Sequence, residues 1–374
     1  MEHVYAVPTG TTGWELPGRR STVAFNWQYD TGRQRMLNLY QKGKDKQWDT
    51  LHRIDWSHEI DPSDTDAMPD EVVPIFGSRT WERISRAQKD EVRHHYAAWM
   101  NSQFLHGEQG ALICSAKIVQ TVPDIDSKFY AATQTMDEAR HVETYAKFLE
   151  EKLQLAYPIN PSLQALLDQT ISDERWDFTY LGMQVMIEGV ALAAFSMIRD
   201  FTTDPLARSI NAYVMQDEAR HIAFGRLALK DAYAELSEAE RREREHFVVE
   251  ASELLRDRFL AREVWEHLGF DADALTTYVD QHQMMTEFRR ALFSRVVPTV
   301  KDIGLWGDDV QRTYERMGVL GFQDLDVEEL SESDERIAEE MEALLAARAD
   351  GRPAPTEGSR AAELADTIAT AEQD

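Results

Sequence analysis

The pentapeptide Asp-Glu-Ala-Arg-His occurs twice in this chain, at 137–141 and at 217–221. In each copy Glu and His stand three residues apart, so on a helix both side chains leave one face and can reach one ion. Each copy also has a glutamate thirty residues upstream, Glu108 before Glu138 and Glu188 before Glu218. One Glu from each of two helices, with a Glu-x-x-His from each of two others, is a recurrent donor set for two carboxylate-bridged metal ions. Four carboxylates balance two divalent cations, which removes the penalty of burying unpaired charge. Mixed carboxylate and imidazole ligation suits iron or manganese better than structural zinc. The predicted metal ligands are therefore Glu108, Glu138, His141, Glu188, Glu218 and His221, with the four glutamates also taking part in the chemistry. Asp137 and Asp217 are predicted to accept the outer N–H of a ligand histidine on the facing helix, with Arg140 and Arg220 holding those aspartates.

Glu-x-x-His spacing alone is weak evidence, and the chain contains its own controls. Glu91 with His94, and Glu243 with His246, have the same spacing inside charged runs (KDEVRHH and RREREHF) and read as solvated helix faces. The copies at Glu138 and Glu218 recur at an offset of 80, carry Asp before and Arg within, and follow a glutamate set in apolar sequence.

Positioning six such residues requires four helices at one level. A helical pattern runs from about Arg83 to Thr121 and stops at Val122-Pro123; a second runs from about Asp126 to Leu155, before the break YPINPS. A third covers Asp173 to Phe201 and ends at TTDP, and a fourth reaches about Leu236. Helices rise about 1.5 Å per residue. A chain that climbs about fifteen residues, turns near Pro123 or Thr203 and descends the same distance brings its two glutamates level. Two such hairpins packed face to face would gather all six side chains. Period-two alternation is scarce, which argues against a β-rich fold.

Around this bundle at 83–236, residues 1–82 read as a wrapping segment of loops and short helices, with Trp14, Trp27, Trp48, Trp56 and Trp81 and a turn at Asp61–Asp64. Residues 237–327 read as additional amphipathic packing helices. Residues 328–374 form an acidic, alanine-rich tail, expected to hold one short helix and otherwise to be disordered.

The net charge of −27 argues against a nucleic-acid partner, because phosphate binding needs Lys and Arg. It permits a basic protein partner, such as a reductase. Cys114 is the single cysteine, so neither an internal disulfide nor a cysteine-rich zinc site is possible. Met1–Gly10 has no basic stretch leading into an apolar run, so no secretory leader is expected. Leu181–Ile198 is apolar enough to resemble a membrane span, but Glu188 near its centre would be penalised in lipid. A buried bundle helix in a soluble, cytoplasmic protein is the expectation, with a homodimer as the commonest assembly.

Phe104–Ala116 (FLHGEQGALICSA) followed by Thr135–Phe148 (TMDEARHVETYAKF) resembles the hydroxylase subunits of bacterial multicomponent monooxygenases. The second half, MIEGVALAAF and then MQDEARHIAFG, is similar to those enzymes, to the small subunit of class I ribonucleotide reductase and to the arylamine N-oxygenases. Together these form the ferritin-like di-iron carboxylate superfamily, and the resemblance covers roughly residues 83–235. It implies an all-α, ferritin-like four-helix bundle with extra N- and C-terminal helices, holding two iron ions, with a Mn–Fe pair as the other possibility. It implies an O2-activating monooxygenase that hydroxylates, N-oxygenates or otherwise oxidises a small organic substrate, supplied by an electron-donor protein. A radical-generating or desaturating oxidase is the alternative, followed by ferroxidase or iron storage and by a metal-free helical interaction protein. Leu192 stands where the monooxygenase hydroxylases usually have Thr, and Val214 where the arylamine N-oxygenases have an extra His ligand. Glu108 replaces the Asp common in the reductase subunit. Tyr145 occupies the place of that subunit's radical tyrosine, and reads as either a redox tyrosine or a core residue beside the metals. One turn either side of the ligands, Ala111, Leu112, Ser115, Ala191, Leu192, Phe195 and Val214 are candidates for the substrate wall.

Overall fold

The computed structural model describes residues 6–7, 23–24, 33–61 and 68–349. Trp14, Trp27, most of the expected turn at 61–64 and the tail beyond 349 lie outside the described residues. The described fold is all-α, with no strand among these residues.

Local chemistry sets each helix of the first hairpin. Helix α2 (Arg86–Thr121) follows a short N-terminal helix, α1 (Gln34–Asp45). At its start Ser85 accepts from Gln88 N while Gln88 accepts from Ser85 N, a reciprocal cap that satisfies two otherwise orphaned donors. Pro123 stops it, and Asp124 caps α3 (Ile125–Lys147) by accepting from Ser127 N at 2.9 Å. A π-helical turn, Phe148–Leu153, extends α3 and ends at Gln154, whose backbone is left-handed (φ 52°). α2 and α3 pack along their length.

The link between the hairpins is itself helical, an element the two-hairpin pattern does not require. Asn160 caps it and Pro161 opens it as α4 (Pro161–Ser172). The apolar third bundle helix begins at Trp176, passes through a π-helical stretch, Leu181–Ile187, and continues as α5 (Glu188–Phe201). Asp204 then caps α6 (Pro205–Tyr233), accepting from Ala207 N at 2.7 Å, with Pro205 in the first turn. α5 packs on α6, and α6 on α3, which closes the four-helix bundle. The stretch Trp176–Asp200 is long and apolar enough to cross a membrane, but 78% of its apolar window is buried inside the fold, so it is a core helix here.

Two further layers cover the bundle. α1 lies across α3 and α6, and the loop after it buries Trp48 while neighbouring Gln47 stays largely exposed. On another side, α7 (Glu238–Asp257), capped by Ser237 and Glu240, leads into short helices ending at Arg316. The last helix, Val327–Ala349, is 23 residues long rather than the short one expected. It packs on α6, where Glu328 pairs with buried Arg226 at 2.6 Å. Arg226 also pairs with Asp302 at 2.9 Å, and Arg295 with Asp334 at 2.6 Å, so the acidic segment is tied to the body through basic side chains.

Candidate metal centre

All six predicted ligand side chains converge in one buried layer. Glu108, Glu138, His141 and Glu218 offer ligand atoms within 4.8 Å of one another, as do Glu138, Glu188 and His221. None of the six is more than 5% exposed. His141 Nδ1 lies 3.1 Å from Glu108 Oε2, 3.3 Å from Glu138 Oε2 and 3.2 Å from Glu218 Oε1. His221 Nδ1 lies 3.1 Å from Glu138 Oε1 and 3.5 Å from Glu218 Oε1. One ring nitrogen satisfies at most one of several acceptors by hydrogen bonding. Glu138 Oε2, Glu188 Oε2 and both oxygens of Glu218 accept no hydrogen bond among the described residues. Orphaned buried carboxylate oxygens are costly, whereas two divalent cations would serve as partners for all of them. The residues present therefore fit a di-metal group, with Nδ1 of each histidine turned toward it.

The outer nitrogens of the two rings face the opposite hairpin. His141 Nε2 is 3.0 Å from Asp217 Oδ2, and His221 Nε2 is 3.3 Å from Asp137 Oδ2. Arg140 donates to both aspartates at 2.7 Å, and Arg220 pairs with Asp217. An aspartate on the far nitrogen fixes the ring's tautomer and direction, leaving Nδ1 free as the ligand atom.

Burial and crowding shape the ionisation of the layer. Burial, reinforced by the charge of Glu218, pushes Glu108 up to about 8. Burial, then Glu218 and Glu138, drives Glu188 well above the carboxylate range. Burial also acts on Glu138 and Asp217, but neighbouring cations outweigh it. His221 and His141 hold Glu138 well below the usual range, and Arg220, His141 and Arg140 do the same for Asp217. Both ligand histidines resist burial and lie well above their ordinary value because of these carboxylates. The cluster thus attracts positive charge strongly.

The other predicted residues fall as follows. Tyr145 is buried against Phe104 (ring centroids 5.7 Å) and Phe195 (6.1 Å), and its hydroxyl donates to Asn211 at 3.3 Å. Burial, with the charges of Glu108 and Glu218, raises its hydroxyl well above its ordinary value. Among the wall candidates Ala111, Ser115, Leu192, Phe195 and Val214 are buried, while Leu112 and Ala191 are partly exposed. The control pairs are not paired: exposed Glu243 meets Arg175 at 2.8 Å, and exposed His246 meets Glu250 at 3.3 Å. Glu91 is exposed as expected, but His94 is half-buried, so that face is only partly solvated.

Several residues that reasoning from the sequence leaves without a role reach the site. Trp48 Nε1 donates to Asp217 Oδ2 at 2.8 Å while its ring stacks on Tyr213 (5.1 Å) and lies under Arg140 (4.7 Å). Gln47 donates to Asp137 and accepts from Arg140, both at 2.7 Å. Gln134, buried one turn before Glu138, donates to Glu138 Oε1 at 3.0 Å and Glu188 Oε1 at 3.1 Å. Its position at i−4 from a predicted ligand is the one sequence signal that could have found it.

An all-α bundle with paired Glu-x-x-His motifs and a buried four-carboxylate layer defines the class: ferritin-like, O2-activating di-metal oxidoreductases. The family described as p-aminobenzoate N-oxygenase AurF matches residues 30–304, and the chain belongs to it. The protein is thus an enzyme that uses O2 at a pair of metal ions to oxidise an organic substrate. No curated protein matches the chain. Among solved structures, an R2-like ligand-binding oxidase from Sulfolobus acidocaldarius is 18% identical, with a TM-score of 0.46 over 74% of this chain and 93% of that one. An R2-like ligand-binding oxidase variant with a Mn/Fe cofactor is 15% identical, with a TM-score of 0.45 over 75% of this chain and 100% of that one. A protein with aldehyde deformylating oxidase activity from Synechococcus is 17% identical, with a TM-score of 0.42 over 60% of this chain and 96% of that one.

Proposed function

We propose that Glu108, Glu138, His141, Glu188, Glu218 and His221 are the metal ligands, and that the protein is a monooxygenase whose substrate is a small aromatic amine. The observation that carries the ligand assignment is the ring of carboxylate oxygens around His141 Nδ1, left without hydrogen-bond donors elsewhere in the layer. The family's description supports N-oxygenation as the reaction. When bound, the metal pair supplies two electrons to O2 and the oxidising power that follows. The chain's own residues do the rest. Asp217 and Asp137 orient the two imidazoles; Arg140 pairs with both aspartates and Arg220 with Asp217. The apolar packing of Phe104, Tyr145, Phe195, Leu192 and Val214 excludes water and favours an uncharged, flat substrate portion.

Iron pairs, or a manganese–iron pair, match this donor chemistry. A separate electron-donor protein would supply the reducing electrons, and the chain's charge of −27 favours a donor with a basic face. The reading is completed by a cytoplasmic homodimer.

The test is metal content with controls. Purified protein should carry about two ions per chain, as the ligand count implies. Glu138→Ala and His221→Ala should lose metal, and His246→Ala should not. Full retention by the first two variants overturns the ligand assignment. Mixing the reduced protein with O2 and candidate arylamines, followed optically, tests the reaction: no amine-dependent change and no oxygenated product would reject it.

A further inference from the structure

The two halves of the metal layer repeat at an offset of 80 residues, but their surroundings do not. Phe104 has Gln184 as its counterpart, Gln134 has Val214, and Tyr145 has Gly225. One half is therefore apolar and aromatic, with Phe104, Tyr145 and Val214 all buried. The other half is polar at the matching positions, with Gln134 and Gln184 both fully buried, while Tyr130 packs against the His221 ring at 6.5 Å.

Two local features create the polar half. Gln184 sits within the π-helical stretch Leu181–Ile187, whereas the counterpart stretch of α2 is regular α-helix. Gly225 makes room for it, since a Cβ there would stand 2.5 Å from Gln184 Cβ. Gln184 Nε2 then donates to Gln134 Oε1 at 3.3 Å. Gln134 Nε2 donates to Glu138 Oε1 at 3.0 Å and to Glu188 Oε1 at 3.1 Å. A carboxylate that binds metal only accepts, so with metal bound the carboxamide nitrogen must face both glutamates. Its two hydrogens match its two acceptors. Val214, the counterpart of Gln134, has no donor to offer the Glu108 side.

We propose that Gln134, itself held by Gln184, is a positioning residue that ties Glu138 to Glu188 and so makes the two metal positions unequal. The position served by Glu138, Glu188 and His221 is the tighter and more rigid one. The position beside Glu108 and His141 keeps a carboxylate free to move, and it is bordered by the side chains of Phe104, Tyr145 and Phe195. A hydrogen bond to a ligand carboxylate fixes its orientation, and loss of such outer contacts typically weakens metal binding by about 10–100-fold. The inference rests on the ligand assignment proposed above and adds an asymmetry that the assignment does not require.

Anaerobic Fe(II) titration of the full chain against a competing chelator tests it. Wild type should show two separable affinities. Gln134→Met, close in size and unbranched, and Gln134→Val, which copies the opposite half, should weaken the tighter site by about 10–100-fold and leave the weaker one unchanged. Gln184→Leu, one residue further from the metals, should weaken the same site by less. Equal wild-type affinities, unchanged binding in the Gln134 variants, or equal weakening of both sites overturns the proposal. So does a Gln134→Met chain that loses its helical circular dichroism, because the carboxamide would then serve stability instead. If Glu138→Ala still binds two ions, the ligand assignment itself fails; if Glu138→Ala loses metal while the Gln134 variants match wild type, only the asymmetry fails.

Discussion

His141 Nε2 lies 3.0 Å from Asp217 Oδ2, so the imidazole of one hairpin is steadied by the aspartate that opens the motif of the other. The same oxygen receives Trp48 and Arg140, and Arg220 pairs with the other oxygen of this carboxylate. Asp217→Ala should leave two buried guanidiniums under-compensated and destabilise the fold by about 3–5 kcal/mol. Asp217→Asn keeps the shape and one acceptor but removes the charge that balances those guanidiniums. It should lose less stability than Asp217→Ala, because the amide still fills the space and its oxygen still accepts, while Fe(II) affinity at the position served by His141 falls about 10–100-fold. Thermal unfolding and chelator competition read the two effects separately. Wild-type affinity in a folded Asp217→Asn chain would show that the cross-hairpin contact does not orient His141.

Trp48 offers a second separation, between packing and hydrogen bonding. Its ring packs on Tyr213 at 5.1 Å, and its Nε1 donates to Asp217 Oδ2 at 2.8 Å. Trp48→Phe keeps an aromatic ring but loses a hydrogen bond to a charged acceptor, which costs about 1.5–3 kcal/mol. Trp48→Ala also loses the ring and should cost about 3–5 kcal/mol. Urea unfolding of the two variants should rank them in that order, and equal losses would mean that the hydrogen bond dominates entirely.

The difference in visibility between these residues and the ligands has a physical cause. Glu108, Glu138, Glu188 and Glu218 were legible because helix rise and turn position are local, so spacing along the chain converts directly to height in the bundle. The paired Asp-Glu-Ala-Arg-His motifs were legible for the same reason. Trp48 meets Asp217 across 169 residues, and Gln47 meets Asp137 across 90, through a loop whose path no period encodes. The π-helical stretch before Glu188 was equally hidden, since Leu181–Ile187 has an ordinary apolar helical composition. The tail misled in another way: its acidity suggested solvation, whereas Glu328 and Asp334 pair with Arg226 and Arg295 on the body.

Metal should stabilise the native chain because the layer exists only when four helices align. A ligand that binds only the folded state, held at 100 times its Kd, adds about 2.7 kcal/mol per site. Fe(II)-loaded protein should therefore melt several degrees above chelator-treated protein under anaerobic conditions. Glu188→Ala should retain less of that increment than wild type, whereas Glu243→Ala, at an exposed control pair, should retain all of it. A melting temperature indifferent to Fe(II) in wild type would argue against a metal-binding layer.

A group remote from the proposed ligands sets one part of the pH dependence. His95 is half-buried, its ring centroid lies 5.0 Å from that of His267, and its Nδ1 is 2.7 Å from the Tyr157 hydroxyl. Burial, then the charges of His267 and His94, lowers His95 to about 4. An unfolded histidine titrates near 6.5, so between about pH 4 and 6.5 the unfolded chain binds a proton that the native chain rejects. The stabilisation is therefore complete above about pH 6.5 and is lost as pH falls toward 4. For a fully buried group the shift would correspond to about 3 kcal/mol; partial exposure reduces that to about 1–2 kcal/mol. His95→Gln keeps a polar partner for Tyr157 and cannot titrate. Urea unfolding at pH 7.5 and pH 4.5 should show wild type losing about 1–2 kcal/mol more than His95→Gln on acidification. Carboxylates contribute equally to both proteins and drop out of that difference, so parallel pH profiles would contradict the depressed value assigned to His95.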